Sequence, residues 1–423
     1  MTWLFNSAVQ TPQPIFVTNY QLDPAQNLPT QITAQLKMTD LSSASVYTGS
    51  VTYFSVSSSL PGDTVAMALK ATGLTLATGR YNWEINLNVA YSTPLPVTYT
   101  GAFNFINSST TPTSLTNSPF GLGWSLSSVQ HLWPVTGGVV LQNPDGTSLW
   151  FADAGSGNYT RPAGDFSTLQ LSGGVYTRTM PNGLQIKFDS TGRQTNWVDT
   201  NGNTTTFTYN GSSQLISVTD MNGQINTITY SSGKATSIAD PASRSLALTH
   251  TGNNLTSIVD ANSKTWGYTY SNDLVTIKDP RSSGSDFITT FAYIPTTSAS
   301  AMVYAINLPD GSINYVSPAQ LAAWPIPGFG TSGNKFQAPL AAAVQARFTD
   351  GNNKIWIHYL DHTGFGRVVQ TVDPLGNASL SPRDENGLPW LAVDALGRRT
   401  RFMYDDGNAT TIVHADDTYR VAT

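Results

Sequence analysis

The sequence predicts an all-β protein, in which an N-terminal β-sandwich is followed by an antiparallel β-sheet built from repeats. Only 11% of the 423 residues are charged, and polar uncharged surfaces rich in Thr and Tyr suit the pleated face of a sheet. Short strand-like runs alternate with clusters of Gly, Pro, Asn and Asp, which are typical of turns. In addition, aspartates recur about every 20 residues from Asp199 onwards.

Residues 1–107 are predicted to form the β-sandwich domain. Runs such as ITAQLKMTD, DTVAMALKAT and RYNWEINLNVAY have strand character and are separated by Ser, Gly and Pro clusters. In the last run, polar and apolar residues alternate, which is the pattern of a half-buried antiparallel strand. The polar members are Glu84, Asn86 and Asn88, and the apolar members are Trp83, Ile85, Leu87 and Val89.

Residues 108–176 are predicted to contain a Ser/Thr/Pro-rich linker and then an entry segment with the sequence SPFGLGWSLS. Gly121 and Gly123 flank apolar residues, which indicates a tight backbone path wedged among aromatic side chains. Three phrases of the type Pro-Asp/Asn-Gly, at residues 144–146, 181–183 and 309–311, precede apolar runs. Each predicts a hairpin turn, because both residues after the proline tolerate positive φ.

Residues 177–294 are predicted to form a sheet of repeated units. The aspartates that begin the units are Asp199, Asp220, Asp240, Asp260 and Asp279, and ten residues after the first four stand Tyr209, Tyr230, His250 and Tyr270. A threonine precedes each of these aromatic positions, so the strand has one buried and one wetter face. Leu215, Ala235, Leu255 and Leu274 lie three residues before the next apolar column, which breaks the alternation and predicts a β-bulge.

The repeat aspartates are predicted to accept hydrogen bonds from turn amides two residues further on, which is a structural role. Residues 295–346 interrupt the rhythm as an insertion: SPAQLAAW predicts a short helix, PIPGFGTSGN a flexible loop, and APLAAAVQARF either a helix or a strand. Residues 347–423 resume the repeat sheet with Asp350, Asp373 and Asp394.

These units resemble the YD repeats of the Rhs/YD-repeat family. The resemblance lies in the Asp-to-Tyr spacing and in TGFGRVVQTVDPLGN and DALGRRTRFMYDDGN, and SPFGLGWSLS is similar to the motif that opens the repeat region in many bacterial members. The resemblance implies a sheet that spirals into a shell around a C-terminal toxin, or an adhesion receptor as in teneurins. For this chain it implies a non-enzymatic structural scaffold segment of a secreted or cell-surface bacterial protein, with an encapsulated effector as a partner of the full-length protein. The units present are too few to close such a shell.

The family's shell proteins also carry a motif for aspartate-based self-cleavage. The sequence DPLGN at Asp373 shares its first letters but lacks the glycine-rich continuation. No catalytic residue is therefore predicted.

The composition argues against several classes of partner. A net charge of −5 and a pI near 5.4 predict no binding to nucleic acid, and no apolar stretch is long enough to span a membrane. With no cysteine, disulfides and thiolate metal sites are excluded. The first residues lack the pattern of a signal peptide, and we interpret the chain as a fragment of a longer exported protein that continues with further units.

Candidate chemistry is sparse, and no metal or cofactor is predicted. His358 and His362 flank Asp361 in HYLDH, but a third zinc ligand is not marked. Asp199, Asn201 and Asn203 resemble the start of a calcium loop, yet no bidentate glutamate follows at the required spacing. Glu84 and Glu385 stand far apart, so no carboxylate pair for glycoside hydrolysis is evident.

Trp197, Trp266 and Trp390 are candidates for a glycan-stacking platform, although aromatic residues of a sheet core would give the same pattern. Three functions therefore compete. The first is the structural scaffold, and the second is an adhesion module that engages glycans or another cell's surface through the sandwich or the aromatic face of the sheet. The third is a polysaccharide-acting enzyme with its site on the insertion.

Overall fold

The computed structural model describes residues 3–5, 14–107, 118–271, 273–281, 284, 287–294, 302–361, 366–415 and 419–421. The chain divides into two compact units: the first comprises residues 1–12, 75–80 and 104–312, and the second comprises residues 13–74, 81–103 and 313–423. The described residues form β-strands and turns, with a four-residue helix α1 (Ala319–Ala322) and a 3-10 helix (Ala341–Ala343). The predicted all-β class is confirmed. Neither of these helices is long and apolar enough to cross a membrane.

The first strands in chain order are β1 (Trp3–Phe5), β2 (Ile15–Gln21), β3 (Ile32–Asp40), β4 (Ser45–Thr48), β5 (Thr52–Ser55), β6 (Thr64–Lys70), β7 (Gly79–Val89), β8 (Leu95–Phe105) and β9 (Trp124–Leu126). There follow β10 (His131–Val135), β11 (Gly138–Gln142), β12 (Ser148–Gly155), β13 (Asn158–Thr160), β14 (Thr168–Ser172), β15 (Val175–Thr179), β16 (Gln185–Phe188), β17 (Gln194–Val198) and β18 (Thr204–Tyr209).

The chain continues with β19 (Leu215–Thr219), β20 (Ile225–Ser231), β21 (Lys234–Ala239), β22 (Ser245–Thr251), β23 (Asn254–Val259), β24 (Thr265–Ser271), β25 (Asp273–Lys278), β26 (Ile288–Ile294) and β27 (Met302–Asn307). The last strands are β28 (Ile313–Ser317), β29 (Phe336–Gln337), β30 (Ala346–Thr349), β31 (Ile355–Leu360), β32 (Val368–Val372), β33 (Ala378–Leu380), β34 (Leu391–Val393), β35 (Arg399–Asp405), β36 (Asn408–Val413) and β37 (Tyr419–Val421).

The second unit contains the predicted sandwich. One sheet pairs β2 with β6, and the other has the order β29-β5-β3-β7-β8, with β4 also on β3. Buried residues from both sheets form one core cluster, because alternate residues of β3 and β7 point inward; Ile32, Leu36 and Ile85 are examples.

Strand β6 is buried on both faces, although an outer strand of a two-layer sandwich usually has a wet side. Val65 and Met67 belong to the sandwich core, while Ala66 and Ala68 contact a second cluster that contains Ala323 of the insertion. The main chain supports the same contact, since the amides of Ala66 and Ala68 donate to the carbonyls of Pro339 and Ala323. The insertion is therefore a third layer on the sandwich.

The first unit contains strands β10–β27 in sheet order, each antiparallel to the next. In the second unit, β28 pairs with β30, and β30–β37 follow in order. Antiparallel neighbours joined by short turns are what the repeated strand-turn rhythm predicted.

In the sheet of the first compact unit, the predicted bulges occur once in each repeat. Thr208 pairs with Ser217 but Tyr209 pairs with Leu215, which leaves Ile216 without an opposite residue. The same register shift leaves Thr236, Thr256 and Val275 unopposed in the next units. Because the bulge restores the inward direction after a spacing of three, both apolar columns lie on the same face.

Candidate functional site: repeat ladders and the strap

The repeat aspartates cap the turns that join successive strands. A single carboxylate oxygen of Asp199 accepts hydrogen bonds from the amides of Asn201 and Asn203, at 2.8 and 2.9 Å. The same pair of bonds, to the amides two and four residues on, is made by Asp189, Asp220, Asp240, Asp260, Asp350, Asp373, Asp384 and Asp394. The predicted structural role of the aspartates is confirmed.

These hydrogen bonds stabilise the ionised form of the carboxylate. The pKa of Asp199 is lowered first by the side-chain bond from Asn203, and the pKa of Asp240 first by the bond from the Arg244 guanidinium. Asp199 and Asp240 are thus anionic turn caps at neutral pH.

The repeat tyrosines connect one repeat to the repeat before it. The hydroxyl of Tyr230 donates to the carbonyl of Leu215 at 2.5 Å, and that of Tyr270 donates to Leu255 at 2.7 Å. Tyr404, in the second unit, makes the same bond to Pro389, fifteen residues earlier, at 2.9 Å. The ring contributes to the apolar face while the hydroxyl satisfies a main-chain acceptor, which explains why the position is filled by tyrosine.

His250 occupies the same column but does not reproduce this bond. Its Nε2 atom is buried without a hydrogen-bond partner, and burial lowers the pKa of the imidazole. The histidine therefore packs as a neutral ring in this unit.

Residues 118–130, here called the strap, lie across the apolar face of the repeat sheet. Phe120, Trp124 and Leu126 belong to the cluster formed by the buried repeat residues of β18–β25. Gly121 has φ of +114°, and an added Cβ would lie 2.8 Å from the Cβ of Leu255. The tight backbone path predicted for this glycine is confirmed.

Hydrogen bonds join the strap to strands far away in sequence. The Pro119 carbonyl accepts the amide of Ala235, and the Leu122 amide donates to Asn253. The indole of Trp124 donates to the Tyr270 hydroxyl at 2.8 Å. The strap is thus bonded to three different repeats, and a movement of one repeat against another would break these bonds.

A buried polar network fixes the end of the strap. The Arg178 guanidinium contacts Asp165 at 2.6 Å, with both side chains under 10% exposed, and donates to Gln130 at 3.3 Å. Gln194 accepts the amide of Gln130 and donates to the Ser128 carbonyl. Since removing one member would leave a buried polar group unpaired, this network specifies where the strap ends.

A cavity of about 100 Å³ lies between the strap and the repeat turns. Phe120 and Val129 line its apolar side, and His131 and Arg193 line its polar side. Burial lowers the pKa of His131 to about 4, so its imidazole is neutral. Arg193 is paired with Asp189 at 2.7 Å. The lining therefore offers a neutral ring and an already paired ion pair, which is a poor basis for acid–base catalysis.

The three candidate tryptophans differ in exposure. Trp197 is half-buried, packs edge-to-face against Phe207 at 5.3 Å, and has an unpaired buried Nε1 atom. Trp266 is 37% exposed on β24 in the first unit, and Trp390 is 46% exposed in the second unit. Their predicted role in glycan stacking stays a prediction.

The other sequence candidates do not form a chemical site among the described residues. His358 donates to or accepts from the Thr371 hydroxyl at 3.1 Å, whereas His362 lies outside the described residues. Asp199 and Asn203 bond to one another within the turn. Within the described ranges, no three His, Asp or Glu side chains converge as a metal site would require. The predictions of no metal, no cofactor and no catalytic residue stay predictions.

Sequence reasoning missed the Arg178 network and the cavity at His131. A single signal pointed to the strap, namely the pair of glycines among aromatics. Nothing local marked its partners, because Trp124 and Tyr270 are 146 positions apart.

Residues 188–225 match the family model described as RHS Repeat. No curated protein matches the chain. Among solved structures, the chain is similar to the Photorhabdus luminescens Tc holotoxin pore, with 8% identity, a TM-score of 0.34, and coverage of 84% of this chain and 23% of that one. The chain is also similar to TcdB2-TccC3 without its hypervariable C-terminal region, with 13% identity, a TM-score of 0.28, and coverage of 78% of this chain and 19% of that one. For TcdB2-TccC3-TEV, the identity is 9%, the TM-score is 0.33, and the match covers 84% of this chain and 23% of that one.

The chain thus spans less than a quarter of the length of each of these structures. The matched segment runs from the end of β16 to the start of β20 and contains Asp199, Tyr209 and Asp220 of the repeat columns. The resemblance to the Rhs/YD-repeat family is therefore confirmed over residues 188–225, which carry the RHS repeat.

Proposed function

We propose that the chain is a non-enzymatic structural scaffold, a wall segment made of RHS repeats. The observation that carries this proposal is the bonding between units: tyrosine hydroxyls reach the preceding unit, and the strap is hydrogen-bonded to several units. Each unit is too small to offset its own ordering entropy, so its stability comes from its neighbours. Side chains that could do chemistry, such as Asp189 and Arg193, are used in turn caps and ion pairs.

In the full-length protein, this wall would form part of a curved shell that encloses a C-terminal effector. We place that protein outside the cell, secreted or on the surface of a bacterium. Support for the shell comes from the RHS Repeat match at residues 188–225 and from the continuous order of β10–β27.

Limited proteolysis combined with activity screening tests the scaffold proposal. We expect the sheet of residues 131–294 to resist cleavage, and we expect a panel of polysaccharides to be left intact. The double variant Tyr230→Phe/Tyr270→Phe should be cut faster, since it lacks two bonds between units. Release of sugar by the wild-type chain, abolished by Glu84→Gln or Glu385→Gln, would contradict the proposal and favour the polysaccharide-acting enzyme.

A second candidate function is adhesion to glycans or to another cell's surface. It is favoured by the exposure of Trp266 and Trp390, since a flat indole held on a sheet can stack on a sugar ring. Binding of the chain to a glycan array, lost in Trp266→Ala or Trp390→Ala without a change in melting temperature, would support this function.

A further inference from the structure

The sandwich in the second unit contains a cleft of about 400 Å³, bounded by the insertion loop of residues 324–331. We call it the sandwich cleft. The residues that matter for its chemistry are Tyr47, Thr52, Lys70, Thr72, Trp324 and Phe329. Its volume falls within the range of small-molecule sites, and it presents aromatic rings beside hydroxyl groups.

The loop that forms one wall of the cleft is held in place. The Gly330 carbonyl accepts the amide of Tyr53 at 2.9 Å, and the Asn334 side chain donates to the Gly328 carbonyl at 2.8 Å. Just beyond it, Phe336 pairs in parallel with Phe54 of β5. The sequence predicted a flexible loop here, but these bonds anchor it to the sheet. The wall is therefore formed before any ligand arrives, which reduces the entropic cost of binding.

The anchored loop keeps a large apolar side chain in water. Phe329 is 42% exposed at the end of a turn in which its amide donates to the Ile326 carbonyl. In the same cleft, the Lys70 ammonium lies 4.9 Å from the centre of the Trp324 ring. A partly exposed aromatic ring that lines a cleft with hydroxyl groups can pack against the apolar face of a pyranose ring.

The charge of the cleft is positive. Lys70 is the single charged residue among the described residues that line it. Within the described ranges, no carboxylate forms an ion pair with Lys70, and burial lowers the pKa of its ammonium. A partly desolvated cation without an anionic partner gains most from a ligand that brings a carboxylate.

We propose that the sandwich cleft binds an acidic saccharide, that is, a sugar that carries a carboxylate, such as a uronic or sialic acid unit. The carboxylate pairs with Lys70, a sugar ring packs against Phe329, and the threonine hydroxyls at positions 52 and 72 hydrogen-bond to the sugar hydroxyls. Neither Trp266 nor Trp390 lines the sandwich cleft, and the proposal does not depend on the scaffold function. The proposal gives the insertion a role in binding. The repeat pattern itself does not explain why the insertion is present.

Titration calorimetry on the full chain tests the proposal with defined probes. Tri-galacturonic acid and 3′-sialyllactose are compared with the neutral sugars maltotriose and lactose, and with a peptide rich in aspartate. We expect the acidic sugars to bind, the neutral sugars to bind at least about tenfold more weakly, and the affinity for acidic sugars to fall with added salt. The peptide should not bind, because it lacks the ring face that Phe329 requires.

Variants assign the binding to the cleft. Lys70→Gln should weaken acidic-sugar binding by about tenfold or more, whereas Lys70→Arg retains most of it. Phe329→Ala should weaken binding without lowering the melting temperature, since the side chain is already exposed. Lys264→Gln, an exposed lysine on a repeat turn, and Trp266→Ala serve as controls and should bind as wild type.

Three results would overturn the proposal: no binding of either acidic probe at millimolar concentration, equal binding of acidic and neutral sugars, or binding that survives both Lys70→Gln and Phe329→Ala. Preferential binding of the acidic peptide would instead identify the cleft as a protein-docking site. Loss of sugar binding in Trp266→Ala alone would favour the adhesion function on the repeat sheet.

Discussion

Replacing Tyr270 by phenylalanine removes one hydroxyl that joins three parts of the first unit. The hydroxyl donates to the carbonyl of Leu255 at 2.7 Å and accepts from the indole of Trp124 at 2.8 Å. Leu255 and Trp124 are both at most 5% exposed. The substitution keeps the ring and leaves both of its partners in a site with little access to water.

The magnitude follows from these two losses. Each buried polar group left without a partner costs about 1 to 3 kcal/mol, so Tyr270→Phe should lower the free energy of unfolding by about 2 to 6 kcal/mol. Tyr230→Phe is the matched control, because its hydroxyl makes a bond to Leu215 and none to the strap. It should cost about 1 to 3 kcal/mol on the same estimate.

Urea denaturation followed by tryptophan fluorescence measures both values. A double-mutant cycle with Trp124→Phe isolates the contact between strap and sheet, and we expect a coupling energy of about 0.5 to 1.5 kcal/mol. Trp124→Phe also loses ring volume, but the cycle cancels that contribution.

Equal costs for Tyr270→Phe and Tyr230→Phe, together with a coupling energy within about 0.3 kcal/mol of zero, would refute the reasoning. The strap would then lie on the sheet without stabilising it through this bond.

Three further predictions concern pH and the size of the repeat unit. The pKa of His131 is lowered to about 4, so the stability that it contributes is complete above its unfolded pKa of about 6.5 and is lost as pH falls towards 4. Thermal melts of His131→Gln should therefore show a smaller loss of melting temperature between pH 7 and 4.5 than wild type. An identical loss in the two proteins would exclude this histidine as the cause. The pKa of Asp273 is raised to about 6 by burial, so the ionised carboxylate destabilises the folded protein at high pH. Asp273→Asn should therefore raise the melting temperature by a few degrees at pH 8 and leave it nearly unchanged at pH 4. A gain in melting temperature at both pH values would point to packing instead. Deleting residues 240–259 removes one complete repeat and should give soluble protein that melts cooperatively. Deleting residues 240–249 instead reverses the direction of every later strand and should cause aggregation. Similar soluble yields from the two deletions would show that the twenty-residue repeat is not the structural unit.

The local features of the repeat could be predicted from the sequence, because their causes are local. An aspartate that caps the amides two and four residues on needs nothing beyond its own turn, and Asp199 shows this directly. The bulge at Ile216 was visible as a spacing of three where strict alternation requires two. Turn chemistry and strand periodicity are written within a few residues, so they can be read from the chain itself.

The long-range contacts could not be predicted in the same way. Gly121 indicated a crowded backbone, but not that Leu255 crowds it. The loop around Gly330 looks flexible as a sequence of Gly, Pro and Ser, yet it is anchored by β5, more than 270 residues earlier. Likewise, Trp197 and Trp266 are the same residue type on two strands of the repeat sheet, and tertiary packing alone makes one half-buried and the other exposed.

The tyrosine bond between units ends on a main-chain carbonyl, which every residue possesses. The donor in one repeat therefore does not need a particular side chain in the repeat before it, and Leu215, Leu255 and Pro389 serve equally well as acceptors. Neighbouring repeats are in this sense interchangeable: each can change most of its letters without a compensating change next door. A sheet joined in this way can gain or lose whole repeats while its joints stay the same, so its length is free to vary independently of its sequence.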